Sequence, residues 1–290
     1  GPGCRGASRP GRCMDCGTGR GGVQSEGGQE RVAEHGRRRK GKSGISDYAD
    51  FVMQTDDVVG QIINAIDTNN LAEETIVIFT SDNGCSKAAD IDELAKKGHR
   101  VSGPYRGSKA DLWEGGHRVP FFARWSGEIP PRSHTSQTIC ITDFFATLAD
   151  LLIDDIPEKA AEDSVSFLSA FYGQPIVTDR TGLIHSSISG HFGYRMDHWK
   201  LLLARGSGGW TAPKESAAKQ QELPAYQLYN MATDPTESQN LGSEQRDIAH
   251  KMYTLLRTDI EQGRSTTGPE TTNDAEPIKL WKSGSPTPDL

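Results

Sequence analysis

Residues 75–84 read TIVIFTSDNG, and this stretch decides the fold. Residues 76–80 are β-branched or aromatic without interruption, which predicts a strand buried on both faces. The next four residues, 81–84, predict a turn, because an Asn-Gly pair tolerates positive φ. We therefore expect Asp82 and Asn83 to lie just beyond the carboxyl end of a core strand. In open α/β sheets, ligands bind at that edge.

Two interpretations of Asp82 and Asn83 follow from their chemistry. A carboxylate next to a carboxamide offers two hard oxygen atoms, the ligands that Ca²⁺ and Mg²⁺ prefer. The alternative is a capped turn, in which both side chains only bond to nearby backbone. Taken alone, the stretch favours the capped turn.

A second motif lies about twenty-five residues further along the chain. Residues 103–120 read GPYRGSKADLWEGGHRVP, with Gly107-x-Lys109 followed by Glu114-Gly-Gly-x-Arg118. The two motifs, in this order, closely resemble the second half of the sulfatase family, and its arylsulfatase branch in particular. The helix that starts near Tyr48 and the late stretch 226–241 also match, so the resemblance covers about residues 41 to 262.

The fold class follows from both the pattern and the resemblance. Helical and strand patterns alternate in the first half of the chain, which is typical of an α/β sheet with helices on its faces. Short strands and one helix follow, which predicts an antiparallel α+β subdomain. The resemblance implies a partial alkaline-phosphatase-like sandwich, with a mixed sheet and flanking helices, plus that small C-terminal subdomain. The predicted helices are 46–67, 142–152 and 243–262; the predicted strands are 75–80, 119–125, 182–185, 199–203 and 226–229; residues 85–106 are predicted to form a surface loop.

Four segments divide the chain on this interpretation. Residues 1–40 hold eleven glycines and eight arginines and almost no apolar residues, so we expect a disordered head unrelated to the sulfatases. Residues 41–175 form the partial sulfatase α/β domain, and residues 176–262 form the antiparallel subdomain. Residues 263–290 form a tail rich in Thr, Pro, Gly and Ser.

Composition excludes several classes of protein. The net charge of −7 combines +5 in residues 1–40 with −12 in the rest, and an acidic body argues against nucleic-acid binding. No apolar run approaches the length of about eighteen residues that a membrane span requires. Five cysteines, an odd number, do not form a disulfide framework, and a lone Cys13-x-x-Cys16 is better explained by coincidence than by zinc.

The resemblance implies roles for three residues. Asp82 and Asn83 match the late pair of metal ligands, which hold one divalent ion, Ca²⁺ or Mg²⁺. Lys109 matches the lysine that contacts the substrate sulfate, where an ammonium acts as a point charge with rotatable donors. Glu114 and Arg118 are better interpreted as scaffolding, and His117 matches no family motif.

The family's nucleophile has no counterpart in this sequence. Sulfatases use a formylglycine made from the cysteine of Cys-x-Pro-Ser-Arg, and none of the five cysteines has that context. The early pair of metal-binding aspartates is also absent. We therefore expect the C-terminal portion of a sulfatase without the N-terminal half that carries the formylglycine, and doubtful activity for the chain alone.

The predicted function is hydrolysis of aryl or carbohydrate sulfate esters by the complete protein. Two alternatives stay open: a phosphoesterase or phosphonate hydrolase of the same superfamily, and a non-catalytic remnant or binding module. The resemblance suggests a periplasmic or secreted protein, although no signal segment opens this sequence. The sulfated substrate and the oligomeric state are not determined by the sequence.

Overall fold

A computed structural model describes residues 39–152, 155–274 and 277–282. The predicted disordered head therefore lies outside the described residues, apart from its last two positions, and so does the end of the tail. The chain divides into two compact units after Thr55. The division into four segments, 1–40, 41–175, 176–262 and 263–290, stays a prediction.

The first unit contains the start of helix α1, which spans Asp47–Thr68. Ser46 caps this helix, because its hydroxyl accepts a hydrogen bond from the amide of Ala49. The carboxylate of Asp50 accepts the amides of Gly41 and Ser43, at 2.5 and 2.7 Å. The predicted helix and its cap are thus confirmed.

The second unit contains a ladder of two antiparallel strands, β1 (Val77–Thr80) and β2 (Phe121–Arg124). The pairing of Thr80 with Phe121 places the residues that follow β1 opposite the residues that precede β2. The expectation of a strand buried on both faces is wrong, because all four residues of β1 are only half-buried. Among the described residues β1 has one strand neighbour, so part of its apolar surface stays open.

The segment predicted to be a surface loop contains two short helices instead. A 3₁₀ helix spans Lys87–Ala89 and helix α2 spans Ile91–Lys96. Leu94 of α2 is almost completely buried, and this single apolar anchor was hidden among charged neighbours in the sequence. Helix α3, Glu114–His117, then leads into β2.

Helices α4 (Asp143–Leu152) and α5 (Leu168–Phe171) pack together through aromatic rings. Phe144 and Phe167 meet edge to face, with ring centroids 5.4 Å apart. Asp143 forms a buried ion pair with Arg180, whose two terminal nitrogens lie 2.7 and 2.9 Å from its carboxylate oxygens. This pair ties the start of α4 to the chain that enters the second sheet.

The second sheet is an antiparallel meander in the order β3-β4-β5-β6. Its strands are Leu183–Ser186, Phe192–Met196, Trp199–Leu202 and Gln227–Asn230, helix α6 (Glu215–Gln220) lies between the last two, and helix α7 (Arg246–Gln262) follows. Tyr194, Leu201 and Leu228 form one core with Met252 and Leu256 of α7. The predicted antiparallel α+β subdomain is confirmed.

Strand β4 was missing from the prediction, because Gly193 and Arg195 interrupt its apolar pattern. Gly193 is needed there: an added Cβ would lie 2.4 Å from the ring of His185 on β3. All strand pairs in the two sheets of the described residues are antiparallel, so the parallel pairs of the expected mixed sheet are not among them.

The described part of the tail is bonded to the body. The buried side chain of Arg264 donates hydrogen bonds to the carbonyl groups of Glu158 and Pro269, at 3.1 and 2.9 Å. Leu280 and Trp281 pack against the core under α7. None of the described helices has the length and apolarity that crossing a bilayer demands.

Candidate active site

Backbone hydrogen bonds bring the two sequence motifs together. The amide of Gly84 donates to the carbonyl of Gly116 at 3.0 Å, and the amide of Lys109 donates to the carbonyl of Cys85 at 2.9 Å. The turn that carries Asp82 and Asn83 is therefore fixed against the loop that carries Lys109. This arrangement follows from the antiparallel pairing of β1 with β2.

Glycines make this contact possible. A Cβ atom added at Gly84 would lie 1.8 Å from the carbonyl oxygen of Gly115. At Gly115 it would lie 2.2 Å from the oxygen of Gly107, and at Gly116 it would lie 2.5 Å from that of Asp111. These distances are far below van der Waals contact, so three layers of backbone stack only because the residues lack side chains.

The turn itself has the local bonding of a capped turn. The carboxamide of Asn83 donates to a carboxylate oxygen of Asp82 at 3.1 Å, and the hydroxyl of Ser81 donates to the carbonyl of Asn83 at 2.9 Å. Asp82 is exposed and Asn83 is half-buried. The capped turn and a metal-binding role are thus compatible, since a carboxylate bonded through one oxygen still has lone pairs to offer.

The turn fits part of a divalent cation site. The donor atoms of Asp82 and Asn83 are of the type that Ca²⁺ and Mg²⁺ prefer, but Ca²⁺ takes about six to eight oxygens. Within residues 39–152, 155–274 and 277–282, no group of three or more His, Cys, Asp and Glu is placed to hold a metal ion. The two residues would therefore supply only a minority of the ligands.

Lys109 is half-buried in a loop whose shape is set by Asp111. The fully buried carboxylate of Asp111 accepts the amides of Ser108, Trp210 and Thr211, at 2.8, 2.8 and 2.9 Å. Three hydrogen bonds from backbone amides to one carboxylate hold the loop rigidly. They also join the Lys109 loop to the segment that carries Trp210.

Glu114 lies in a buried network of charges. Lys200 of β5 is 1% exposed, and its ammonium lies 2.9 Å from Glu114 and 2.8 Å from Glu237. The carboxylate of Glu237 also accepts the amide of Glu114 at 2.6 Å. Arg118 pairs with Glu114 at 3.4 Å. The scaffolding role predicted for Glu114 and Arg118 agrees with these contacts.

The two carboxylates that share Lys200 have pKa values shifted in opposite directions. Burial opposes the charge of Glu114, but the cationic groups of Lys200, Arg195 and Arg118 together outweigh it and lower the pKa of Glu114 below its usual range. Burial raises the pKa of Glu237, and Lys200 offsets that effect only in part. We infer that Glu114 holds its charge more firmly than Glu237.

His117 and His185 form an edge-to-face pair with ring centroids 4.4 Å apart. Burial, together with the charge of Lys200, lowers the pKa of His117 to about 4. Its Nε2 atom is buried without a hydrogen-bond partner. Burial and the neighbouring His117 also lower the pKa of His185 well below its usual value. Both rings are therefore neutral near pH 7.

The sequence analysis did not identify Lys200, Glu237 or His185 at this site. A signal for Lys200 existed, since it stands inside the apolar strand Trp199–Leu202, where a lysine must find a buried partner. Glu237 lies in the late stretch 226–241 that matches the sulfatases, but nothing near Glu237 or His185 in the sequence indicates these contacts, because their partners are distant along the chain.

Comparison with known proteins identifies the family. A sequence model described as "Sulfatase" matches residues 17–154, a range that includes the Asp82-Asn83 turn, Lys109 and the Glu-Gly-Gly segment. This chain belongs to the sulfatase family. The match begins at residue 17, so residues 17–40, which were predicted to be unrelated to sulfatases, are included in it.

Individual sulfatases are also similar to this chain, and the first of them extends the match beyond residue 154. The chain is 30% identical over 227 residues to an N-acetylgalactosamine-6-O-sulfatase of Bacteroides thetaiotaomicron, covering 76% of this chain and 43% of the relative. It is 34% identical over 148 residues to the steryl-sulfatase of Mus musculus, covering 50% and 23%.

A solved structure places the same fold in a related protein. That structure is described under the metabolism of multiple glycosaminoglycans by Bacteroides thetaiotaomicron. The TM-score is 0.64 at 29% identity, covering 76% of this sulfatase chain and 46% of that chain. The α/β fold class with an alkaline-phosphatase-like architecture is thereby confirmed. The sulfatase chain spans less than half the length of the relatives it matches.

Proposed function

We propose that the complete protein hydrolyses sulfate esters, with Asp82 and Asn83 in its divalent cation site and Lys109 in contact with the sulfate. The observation that carries this proposal is a pair of backbone hydrogen bonds, from Gly84 to Gly116 and from Lys109 to Cys85. They fix the Asp82-Asn83 turn against the Lys109 loop. Family membership supports the reaction class, and the contact of the two motifs supports a common site.

The chemistry of the proposed site suits a sulfate ester. The sulfuryl group carries negative charge on its oxygens. A cationic side chain held in a fixed position stabilises the charge that develops there in the transition state better than water molecules do, because it does not have to reorient. Lys109 would supply a point charge from a loop that the buried Asp111 holds in place. A bound Ca²⁺ or Mg²⁺ ion would act as a Lewis acid on the same oxygens.

For the chain as given, we propose binding without turnover. Sulfatases act through a formylglycine nucleophile, and none of the five cysteines stands in Cys-x-Pro-Ser-Arg. Covalent catalysis divides one difficult step into two easier ones, so a site without the nucleophile loses that advantage.

By family resemblance we also propose that the complete protein is exported to the periplasm or secreted.

Titration with 4-nitrophenyl sulfate tests the proposed site. We expect Lys109→Ala to weaken binding by about tenfold to a hundredfold, because it removes a charge-assisted contact. The matched control is Lys251→Ala, which removes an exposed lysine of α7 and should leave the affinity unchanged. Equal affinities for wild type and Lys109→Ala would contradict the role of Lys109. Release of nitrophenol by wild type, but not by Lys109→Ala, would contradict binding without turnover.

A further inference from the structure

The turn after β1 contains a chemically reactive pair, Asn83-Gly84. Of the seven asparagines in the sequence, only Asn83 is followed by glycine. In a flexible chain, the backbone nitrogen of the following residue attacks the side-chain carbonyl carbon of asparagine, and glycine hinders this attack least because it has no side chain. The pair is therefore a site of deamidation wherever the structure leaves it free to react.

The reaction makes specific demands on the nitrogen of Gly84. This nitrogen gives up its proton to a base in the solvent and bonds to Cγ of Asn83, while the bond from Cγ to Nδ2 breaks and Nδ2 takes up a proton and leaves as ammonia. Water then opens the resulting succinimide at one of its two carbonyl carbons, which leaves aspartate or isoaspartate at position 83. The Gly84 amide must therefore be released from its hydrogen-bond acceptor, and the backbone beside it must be able to rotate.

The folded chain meets neither demand at Gly84. The amide donates to the carbonyl of Gly116 at 3.0 Å, so its proton is engaged. The backbone of Gly84 lies so close to Gly115 that an added Cβ would be 1.8 Å from the carbonyl oxygen, and Gly115 is packed in the same way against Gly107. Rotation of the Gly84 backbone would therefore require the contact of Gly84, Gly115 and Gly116, which we call the glycine stack, to separate.

The side chain of Asn83 is held as well. Its Nδ2 atom, which becomes the leaving group, donates to the carboxylate of Asp82 at 3.1 Å and to the carbonyl of Gly84 at 3.4 Å. The hydroxyl of Ser81 donates to the backbone carbonyl of Asn83 at 2.9 Å. Both partners of the reaction are half-buried and fixed by hydrogen bonds, so a local opening of the turn must precede the attack.

We propose that Asn83 is a latent modification site, which the glycine stack protects from deamidation and which reacts when the turn separates from α3. Aspartate at position 83 places a second negative charge beside Asp82. Isoaspartate adds one carbon to the main chain, and the glycine stack has no room even for a methyl group. A transient opening of the turn is thereby converted into a permanent change. The protection itself does not depend on the proposed function.

Deamidation rates of the folded and unfolded chain test the proposal. The chain is incubated in mildly alkaline buffer with and without urea, and mass spectrometry of the peptide that contains position 83 follows the conversion. We expect folded wild type to react about tenfold to a hundredfold more slowly than the chain in urea, because only the opened fraction reacts. Gly115→Ala keeps the Asn-Gly pair but places a methyl group 2.2 Å from the carbonyl oxygen of Gly107, so it accelerates the reaction without urea. The matched control is Gly60→Ala in α1, where an added Cβ meets nothing within 4 Å and the wild-type rate is kept.

Each outcome decides the proposal. Equal rates for wild type with and without urea overturn it, and so does a chain in urea that keeps its carboxamide at position 83. A folded Gly115→Ala variant that reacts as slowly as wild type also overturns it. If Gly115→Ala does not fold, hydrogen exchange of the Gly84 amide in wild type decides: slow exchange supports the protection and rapid exchange overturns it.

The test is independent of the proposed sulfate site. If wild type is protected while Lys109→Ala leaves the affinity for 4-nitrophenyl sulfate unchanged, the role proposed for Lys109 fails and the protection stands. If wild type is not protected while Lys109→Ala weakens that affinity, the reverse holds.

Discussion

Lys200 and Glu114 form a buried ion pair, with the ammonium nitrogen 2.9 Å from a carboxylate oxygen, that links two parts of the sulfatase fold. Lys200 belongs to the antiparallel meander, and Glu114 begins the helix that carries Gly115 and Gly116. The C-terminal subdomain is therefore joined electrostatically to the backbone stack under the proposed site.

Lys200→Met should destabilise the chain strongly. The substitution leaves the buried carboxylates of Glu114 and Glu237 without their common cation, which costs about 3–5 kcal/mol. Urea unfolding measures the change in the free energy of unfolding. Lys251→Met, at an exposed position of α7, is the control and should change it by less than about 0.5 kcal/mol. Similar losses for the two variants would show that the network contributes little.

Gly84→Ala should disrupt the contact between the two motifs. The new methyl group would lie 1.8 Å from the carbonyl oxygen of Gly115, so the turn must move away from α3. We expect a destabilisation of about 1–3 kcal/mol and weaker binding of 4-nitrophenyl sulfate.

The control for this change is Gly60→Ala, in the interior of α1, where an added Cβ meets nothing within 4 Å. Alanine is the better helix former, so this variant should be more stable by about 0.5–1 kcal/mol. Opposite signs for the two substitutions are expected in urea unfolding. A neutral Gly84→Ala would contradict the stacked arrangement.

His117 should make stability depend on pH in the acid range. Its pKa is about 4 in the folded chain and 6.5 ordinarily, so the unfolded chain binds more protons between those values. Stability is fully present above pH 6.5 and is lost as the pH falls towards 4. The free energy of unfolding is lower by about 3 kcal/mol at the acid end of this range than above pH 6.5.

Comparing wild type with His117→Gln isolates this effect. The variant keeps a neutral polar side chain of similar length, so its unfolding free energy should fall less between pH 7 and pH 4.5. His250→Gln, at an exposed position of α7, is the control and should follow wild type. If the free energy of unfolding depends on pH in the same way for His117→Gln and wild type, His117 is not a source of the acid destabilisation.

The outer surface of α4 should promote self-association. Phe145, Leu148 and Leu152 are 55%, 47% and 68% exposed, and their spacing places them along one side of the helix. Contiguous exposed apolar surface of this kind favours association in water. We expect Phe145→Lys combined with Leu152→Lys to shift the chain towards monomer in sedimentation velocity. The control adds the same charge at the exposed polar positions Ser136 and Thr138, and an equal shift there would attribute the effect to net charge.

Local patterns predicted the long elements of the fold well. The apolar period of α1 and α7 and the β-branched run of β1 are properties of neighbouring residues, so their positions could be derived from the sequence. Strand β4 was missed because Gly193 breaks the apolar alternation for a reason that lies on another strand, the ring of His185. Leu94 gave too weak a signal to predict α2.

The candidate site was predictable only where a motif is compact. Asp82, Asn83 and Lys109 could be selected because they lie in two short segments that resemble a known family. The buried charged residues could not be predicted, because Lys200 and Glu237 both bind to Glu114. Glu114 is 86 residues from Lys200 and 123 residues from Glu237 along the chain. Trp210 likewise had no pattern around it, and its position depends on Asp111.

The stack of Gly84, Gly115 and Gly116 has a consequence for how such a protein can diversify. The close contacts of this stack join main-chain atoms, so they do not involve the side chains that project from its rim. Substitutions at the rim can then alter ligand preference while the geometry beneath is inherited intact, whereas a single methyl group in the frame would disturb every specificity built upon it.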